Sequence, residues 1–239
     1  MAVIIEFSQI KSHFPKSPDS KRYCLADTNF VLSCLHEEHT FWNDSQQFFK
    51  DAADVGFAFF VTHTSRSEFL DIERKFSLTR PLVELYREEG KWKGKIKHES
   101  KAILARPAER VLISKEGFEF FSDKELKEIK ETFFAFSESG KVGWVNFCEE
   151  FLSDKLSEAW TQIGKEIGLN YLNIRGEETE IGSADCLISK KVEWSDIVTL
   201  VGKTAMGTSD GMIANAFLCS KFQALVTTDV DLGYGLAGE

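Results

Sequence analysis

"YCLADTNFVLSCL", residues 23 to 35, decides how the chain is read. A short apolar run ends in Asp27, Thr28 and Asn29, and apolar sequence resumes at once. "RYCLA" reads as a short buried strand and "NFVLSCLHEE" as a helix, with Asp27 or Thr28 near its cap. An acid at that junction can serve in two ways. It caps the helix, or it forms one wall of a metal site.

Working outward, a second helix is expected from Thr40 to Asp54, with Phe41, Trp42, Ser45, Phe48, Phe49 and Ala52 on one stripe and Gly56 beyond its end. "FAFFVT", residues 57 to 62, is a continuous apolar run and reads as a strand buried on both faces. "SRSEFLDIERKF" follows as a helix, and "TSDGMIANAFLCSKF" is a helix preceding a third strand, "ALVTTD", residues 224 to 229. Strands alternating with helices predict an α/β fold with a parallel sheet covered on both faces. Ligands of such sheets gather beyond the carboxyl ends of the strands, where Asp27 and Asp229 fall.

Residues 86 to 194 have a different pattern. "SDKELKEIKETFFAF" carries a capping box, Ser122 with Glu125, ahead of an apolar stripe. "WVNFCEEFLSDKLSEAWTQIGKEIG" reads as one long amphipathic helix, with Trp144, Phe147, Phe151, Leu156, Trp160 and Ile163 along one side and Gly168 stopping it. "YLNI", residues 171 to 174, resembles a further strand. Because strand-like sequence resumes there, this middle is expected to be a helical insertion into one domain spanning 1–239, with its core at about 20–85 and 195–235.

Bulk properties agree with one large domain or a domain carrying an insertion. The 239 residues are 43% hydrophobic, enough to bury a core. No apolar run approaches the ~18 residues that span a bilayer, and "MAVIIEF" lacks the basic start of a secretion signal. No membrane association is expected. Five scattered cysteines without a C-x-x-C pair point to reduced thiols, a cytoplasmic location and no thiolate zinc site. A net charge of −9 argues against wrapping the whole surface in nucleic acid, but leaves room for a local basic groove and for acids gathered around a cation.

Four acids occupy equivalent places. Asp27 ends the first strand, Glu68 follows the second, Asp210 opens the helix before the last strand, and Asp229 ends that strand, with Asp231 two residues on. Singly, each has an ordinary structural role to fill. Asp27 fits an N-cap, Glu68 the end of a capping box from Ser65, Asp210 a helix dipole and Asp229 an Asx-turn. Together they converge on one edge of a parallel sheet, where clustered carboxylates would repel and take up protons unless a divalent cation joined them. Oxygen ligands alone suit Mg²⁺ or Mn²⁺. Such ions activate water and stabilise the leaving oxygen in phosphodiester hydrolysis.

These residues resemble the PIN-domain nucleases, which include the VapC-like ribonucleases. "LADTNFVL" is similar to the family's first-strand aspartate with its following Thr and Asn, and "VTHTSRSEFLD" to its glutamate after the second strand. "TSDGMIANAF" matches D-x-x-I-A-x-A through Asp210, Ile213, Ala214 and Ala216. "VTTDVDL" matches the closing T-x-D-x-D through Thr227, Asp229 and Asp231, with Leu232 in place of an aromatic. The resemblance covers about residues 20 to 85 and 195 to 235. It implies a three-layer α/β/α sandwich and a metal-dependent nuclease, most often an endoribonuclease. Asp27, Asp210 and Asp229 would hold Mg²⁺ or Mn²⁺, Glu68 would complete the set or orient water, and Asp231 would serve as an alternate ligand. Thr28, Asn29 and Thr227 would support them. Two departures stand out. The stretch between Glu68 and Asp210 is much longer than in compact toxins. The chain ends at "GLAGE", so "AVIIEF" is expected to complete the sheet edge.

For substrate, "REEGKWKGKIKHESKAILAR", residues 87 to 106, holds seven Lys or Arg against three Glu. Lys91, Trp92, Lys93 and Lys95 could contact RNA by charge and stacking, or simply line a solvated connection. "GKT" at 202 to 204 is not a phosphate loop, because Ile197 stands where its first Gly belongs. The same acids are compatible with a silent PIN-like RNA-binding or protein-interaction module, or with a Mg-dependent phosphatase. The phosphatase requires D-x-D, and Asn29 occupies the second acid's place. An antitoxin-like or other protein partner is compatible with the family.

Overall fold

The computed structural model describes residues 4–16, 21–88, 98–114, 118–133, 143–166, 168–172 and 186–237. Four parallel strands form one sheet amid a mainly helical chain: β1 (Arg22–Ala26), β2 (Phe57–Val61), β3 (Asn170–Tyr171) and β4 (Ala224–Val226), in the order β3-β2-β1-β4. The helices, in chain order, are α1 (Ile10–His13), α2 (Thr28–Leu35), α3 (Trp42–Asp54), α4 (His63–Arg87), α5 (His98–Ile113), α6 (Asp123–Phe133), α7 (Trp144–Phe151), α8 (Ser153–Glu166), α9 (Trp194–Thr204), α10 (Thr208–Leu218) and α11 (Val230–Ala237). Among the described residues, no helix is long and apolar enough to cross a membrane.

The chain divides into two compact units, one of Met1–Glu37, Phe41–Phe69 and Ile163–Glu239, the other of Glu38–Thr40 and Leu70–Gln162. The first holds the sheet. Strand β2 shows why a near-continuous apolar run is needed there. Successive side chains point to opposite faces. Phe59 meets Phe30 of α2 and Phe48 and Phe49 of α3, with ring centroids 6.2, 6.3 and 5.2 Å away. Phe60, one residue on, meets Tyr23 and Phe222 at 5.7 and 5.2 Å. It packs against a buried cluster that includes Leu25, Leu200, Ile213, Ala214, Ala216 and Leu232.

Gly211 lets α9 and α10 approach closely. A Cβ there would come within 2.7 Å of Val201 Cγ2. The second unit has its own core of Leu78, Leu82, Leu104, Phe121, Leu126, Ile129 and Phe147, among others. The expected capping box is present: Glu125 N–H donates to Ser122 Oγ at 3.3 Å and Ser122 N–H to Glu125 Oε2 at 2.7 Å.

Several expectations are corrected. The long helix from Trp144 is two helices, broken at Leu152, which leaves helical geometry (φ −123°, ψ −41°) while its N–H still bonds Cys148 O. An unbroken apolar stripe could not signal this, because both pieces keep the same period. The described part of "AVIIEF" is not a strand. Glu6 and Gln9 form a capping box that winds residues Phe7–Gln9 into a 3₁₀ turn, and Phe7 packs on Phe30 and Phe48 at 5.9 and 4.7 Å. Of "YLNI", Tyr171 and Leu172 lie within the described residues, with Tyr171 in β3. After Asp229 the chain turns into α11, so β4 is the last strand among the described residues.

Candidate functional site

Asp27 sits at the junction of β1 and α2. Its N–H donates to Val226 O of β4 at 2.9 Å, and the strand register pairs Ala26 with Val226. Asp27 and Thr227 therefore leave adjacent parallel strands side by side at their carboxyl ends. Asp27 holds the N-cap position of α2, with extended backbone (φ −76°, ψ 160°). Yet its carboxylate does not reach the second or third helical N–H, as a capping side chain ordinarily does. Oδ1 accepts from Thr28 N–H at 2.7 Å, and Oδ2 accepts from the Thr227 hydroxyl at 2.8 Å.

Two threonines bridge the acids. The Thr28 hydroxyl donates to Glu68 Oε2 at 2.8 Å, and Thr227 Oγ1 accepts from Asp229 N–H at 2.8 Å. Asp27, Glu68 and Asp229 are thus tied into one network drawn from β1, α4 and the end of β4. Asn29 makes no side-chain hydrogen bond among the described residues.

The ordinary structural roles fare differently from acid to acid. Glu68 is not part of a capping box. The cap of α4 is Thr62, whose Oγ1 accepts from Ser65 N–H at 3.0 Å. Ser65 therefore lies inside the helix, and Glu68 a turn deeper, where no orphan amide needs it. A threonine directly after an apolar strand was the signal for this cap. Asp229 does cap α11, its Oδ1 accepting from Asp231 N–H at 2.8 Å and Leu232 N–H at 3.3 Å. Asp210, third residue of α10, takes a hydrogen bond from the backbone of Gly207, the N-cap. A Cβ at position 207 would lie 2.7 Å from Asp210 Oδ2, so any larger residue there would have to displace that carboxylate. Asp231 is exposed in the first turn of α11. Lys91, Trp92, Lys93 and Lys95 lie outside the described residues.

Electrostatics set these acids apart. Asp27 is 2% exposed. Burial pushes its carboxyl up to about 6, against the bonds from Thr227 and Thr28, and the charges of Glu68 and Asp210 push in the same direction. Asp210 is also held above the ordinary carboxylate range, first by partial burial, then by the charges of Asp229 and Glu68, with Asp231 adding to them against the Gly207 amide. The leading charges on both are negative.

As placed, no three or more His, Cys, Asp or Glu side chains among the described residues converge closely enough to hold a metal ion. The donor chemistry nonetheless suits a hard divalent cation. It is oxygen-only, and it contains a buried carboxylate that lacks positive compensation. Comparison with known proteins finds no family model, no curated protein and no solved structure that matches the chain.

Proposed function

We propose that the chain is a metal-dependent nuclease of the PIN type, an endoribonuclease that hydrolyses phosphodiester bonds. The observation that carries this reading is the threonine-bridged set of acids at the carboxyl edge of a parallel sheet, with Asp27 buried among like charges. Asp27, Asp210 and Asp229 would hold Mg²⁺ or Mn²⁺, with Glu68 beside them and Asp231 as an alternate ligand. When bound, the ion supplies Lewis acidity toward the phosphodiester and makes water more acidic.

The remaining roles belong to the protein. Thr28 and Thr227 fix the orientation of two carboxylates, Asp27 and Glu68, so the oxygens left open on them are preset rather than mobile. The sheet edge and the N-terminal ends of α2, α4 and α10 provide a rigid base for them. On this reading Glu68, which accepts from the Thr28 hydroxyl, would complete the ligand set or orient the attacking water. The reading also implies a three-layer α/β/α arrangement. Its support is the opposite facing of Phe59, toward α2 and α3, and Phe60, toward the cluster containing Ile213 and Ala216 of α10.

The test is RNA cleavage by the purified chain. Cleavage should require Mg²⁺ or Mn²⁺ and stop with EDTA, and metal-independent cleavage or none at all would refute the reading. A second reading, a PIN-like module that binds without turnover, draws on the cap bonds that occupy oxygens of Asp210 and Asp229. RNA binding without cleavage at any divalent metal would favour it.

A further inference from the structure

The start of α4 has two sides. One carries Thr64 and Glu68, facing Met212 and Thr28. The other carries His63 and Arg66, three residues apart and hence neighbours on the helix surface. Both meet Tyr171 of the edge strand β3. The Tyr171 hydroxyl hydrogen-bonds His63 Nδ1, the two rings are T-shaped with centroids 4.6 Å apart, and the Arg66 guanidinium lies 5.7 Å from the Tyr171 ring centroid.

Tyr171 is held firmly. Asn170 Nδ2 donates to Phe59 O at 3.1 Å, Leu172 N–H donates to Val61 O at 3.0 Å, and Leu172 is buried. Yet Tyr171 is 37% exposed. By register Val61 pairs with Tyr171, and β2 in turn pairs with β1. Tyr171 therefore stands two strands from Asp27 on the same edge of the sheet, about 10 Å at ordinary strand spacing. Neighbouring nucleotides of one strand can span that gap.

We propose that Tyr171, His63 and Arg66 form a face on which single-stranded RNA lies beside the acids. An unpaired base stacks on the Tyr171 ring, and Arg66 and His63 meet the adjoining phosphate. The acids repel a phosphate backbone, and an aromatic flanked by two nitrogen donors is the complementary chemistry for holding one. The inference rests on the nuclease reading and names the substrate form: unpaired RNA, since a base in a duplex cannot stack on a side chain.

The experiment is a binding titration by fluorescence anisotropy, with the full chain in EDTA and a fluorescein-labelled single-stranded oligouridine. Tyr171→Ala should weaken binding roughly 5- to 100-fold, whereas Tyr171→Phe, which keeps the ring, should bind nearly as wild type does. Arg66→Gln should flatten the log–log salt dependence by about 0.7, the loss of a single phosphate contact. A 5-bromouridine-substituted strand should photo-crosslink to Tyr171, which a purely structural tyrosine would not do. Wild-type affinity in Tyr171→Ala, a Phe variant as weak as the Ala variant, or crosslinking only elsewhere would overturn the inference. Should Tyr171→Ala fail to fold, Tyr171→Phe and the crosslink still decide. If the wild type cleaves RNA and Tyr171→Ala binds unchanged, only this inference falls. If RNA binds through Tyr171 but is never cleaved, only the nuclease reading falls. A wild type that neither binds nor cleaves RNA would overturn both.

Discussion

The helical unit and the sheet edge treat the same residue type in opposite ways. In the helical unit, Asp71 and Asp123 are shared between Arg74 and Lys75, with N–O distances of 2.6 to 2.7 Å. Hydrogen bonds from Lys75 and Arg74 hold Asp123 below the ordinary carboxylate range. The same two partners pull Asp71 down against the partial burial that would raise it. At the sheet edge, Asp27 and Asp210 are raised, by burial first and then by neighbouring acids. Folding alone would favour the first arrangement, because compensated acids stabilise weakly and uncompensated ones destabilise. A buried acid that keeps its charge without a basic partner is poised to take a cation, and that contrast is what the following experiments can break or sharpen.

The largest effect should come from Asp27→Asn. Asparagine caps helices as well as aspartate and matches its shape, so a merely structural Asp27 predicts unchanged activity and stability. If Asp27 holds the metal, cleavage should fall by at least ~100-fold, since even residues that only orient a ligand contribute ~10- to 100-fold. A variant that cleaves RNA at the wild-type rate would remove the contrast at its centre.

Next is the pH dependence of metal-free stability. Asp27 has an ordinary value of 3.8 and is pushed to about 6 in the folded protein. The folded state therefore binds more protons than the unfolded state between those values. The resulting stability is full below about pH 4 and is lost as pH rises through about 6, on the order of 3 kcal/mol at most. Urea titrations across pH 4 to 7 in EDTA should show this loss in the wild type and not in Asp27→Asn, which should be the more stable of the two at pH 7. Adding Mg²⁺ at pH 7 should restore stability to the wild type only. Asp123→Asn should do the reverse, because a carboxyl held low contributes stability that is present at neutral pH and vanishes in acid.

A smaller effect separates Thr62 from Glu68. Thr62→Ala should cost about 1 kcal/mol, the usual value for a lost cap. Glu68→Gln should leave thermal stability close to wild type while impairing cleavage. If the two variants exchange these outcomes, Glu68 is a capping residue and leaves the site. Smallest of all, Asp123→Asn should cost well under ~1 kcal/mol, as exposed ion pairs do, and should not change cleavage.

Much of this was legible in the chain. β1 and β2 follow from apolar runs bounded by turn residues, and the placing of Asp27 and Asp229 at strand ends follows from where those runs stop. The capping box at Ser122 was legible because its two halves lie three residues apart. The break at Leu152 was not, because an apolar stripe continues across it with unchanged period. The cap of α4 is ambiguous in sequence for a related reason: Ser65 and Glu68 have capping-box spacing, but Thr62 lies closer to the strand and accepts from the Ser65 amide.

By itself, then, the sequence determined what depends on neighbours along the chain: the strands β1, β2 and β4 with the helices beside them, and acids at the ends of β1 and β4 and near the starts of α4 and α10. Only the tertiary structure decided which oxygens those acids have left. Thr227 reaches Asp27 across 200 residues and Tyr171 reaches His63 across 108. Such contacts follow from strand order and register, β3-β2-β1-β4, which no local pattern encodes. The raised carboxyl of Asp27 belongs to that second class. It comes from burial beneath elements distant in sequence, whereas the aspartate itself could be read directly from "LADTN".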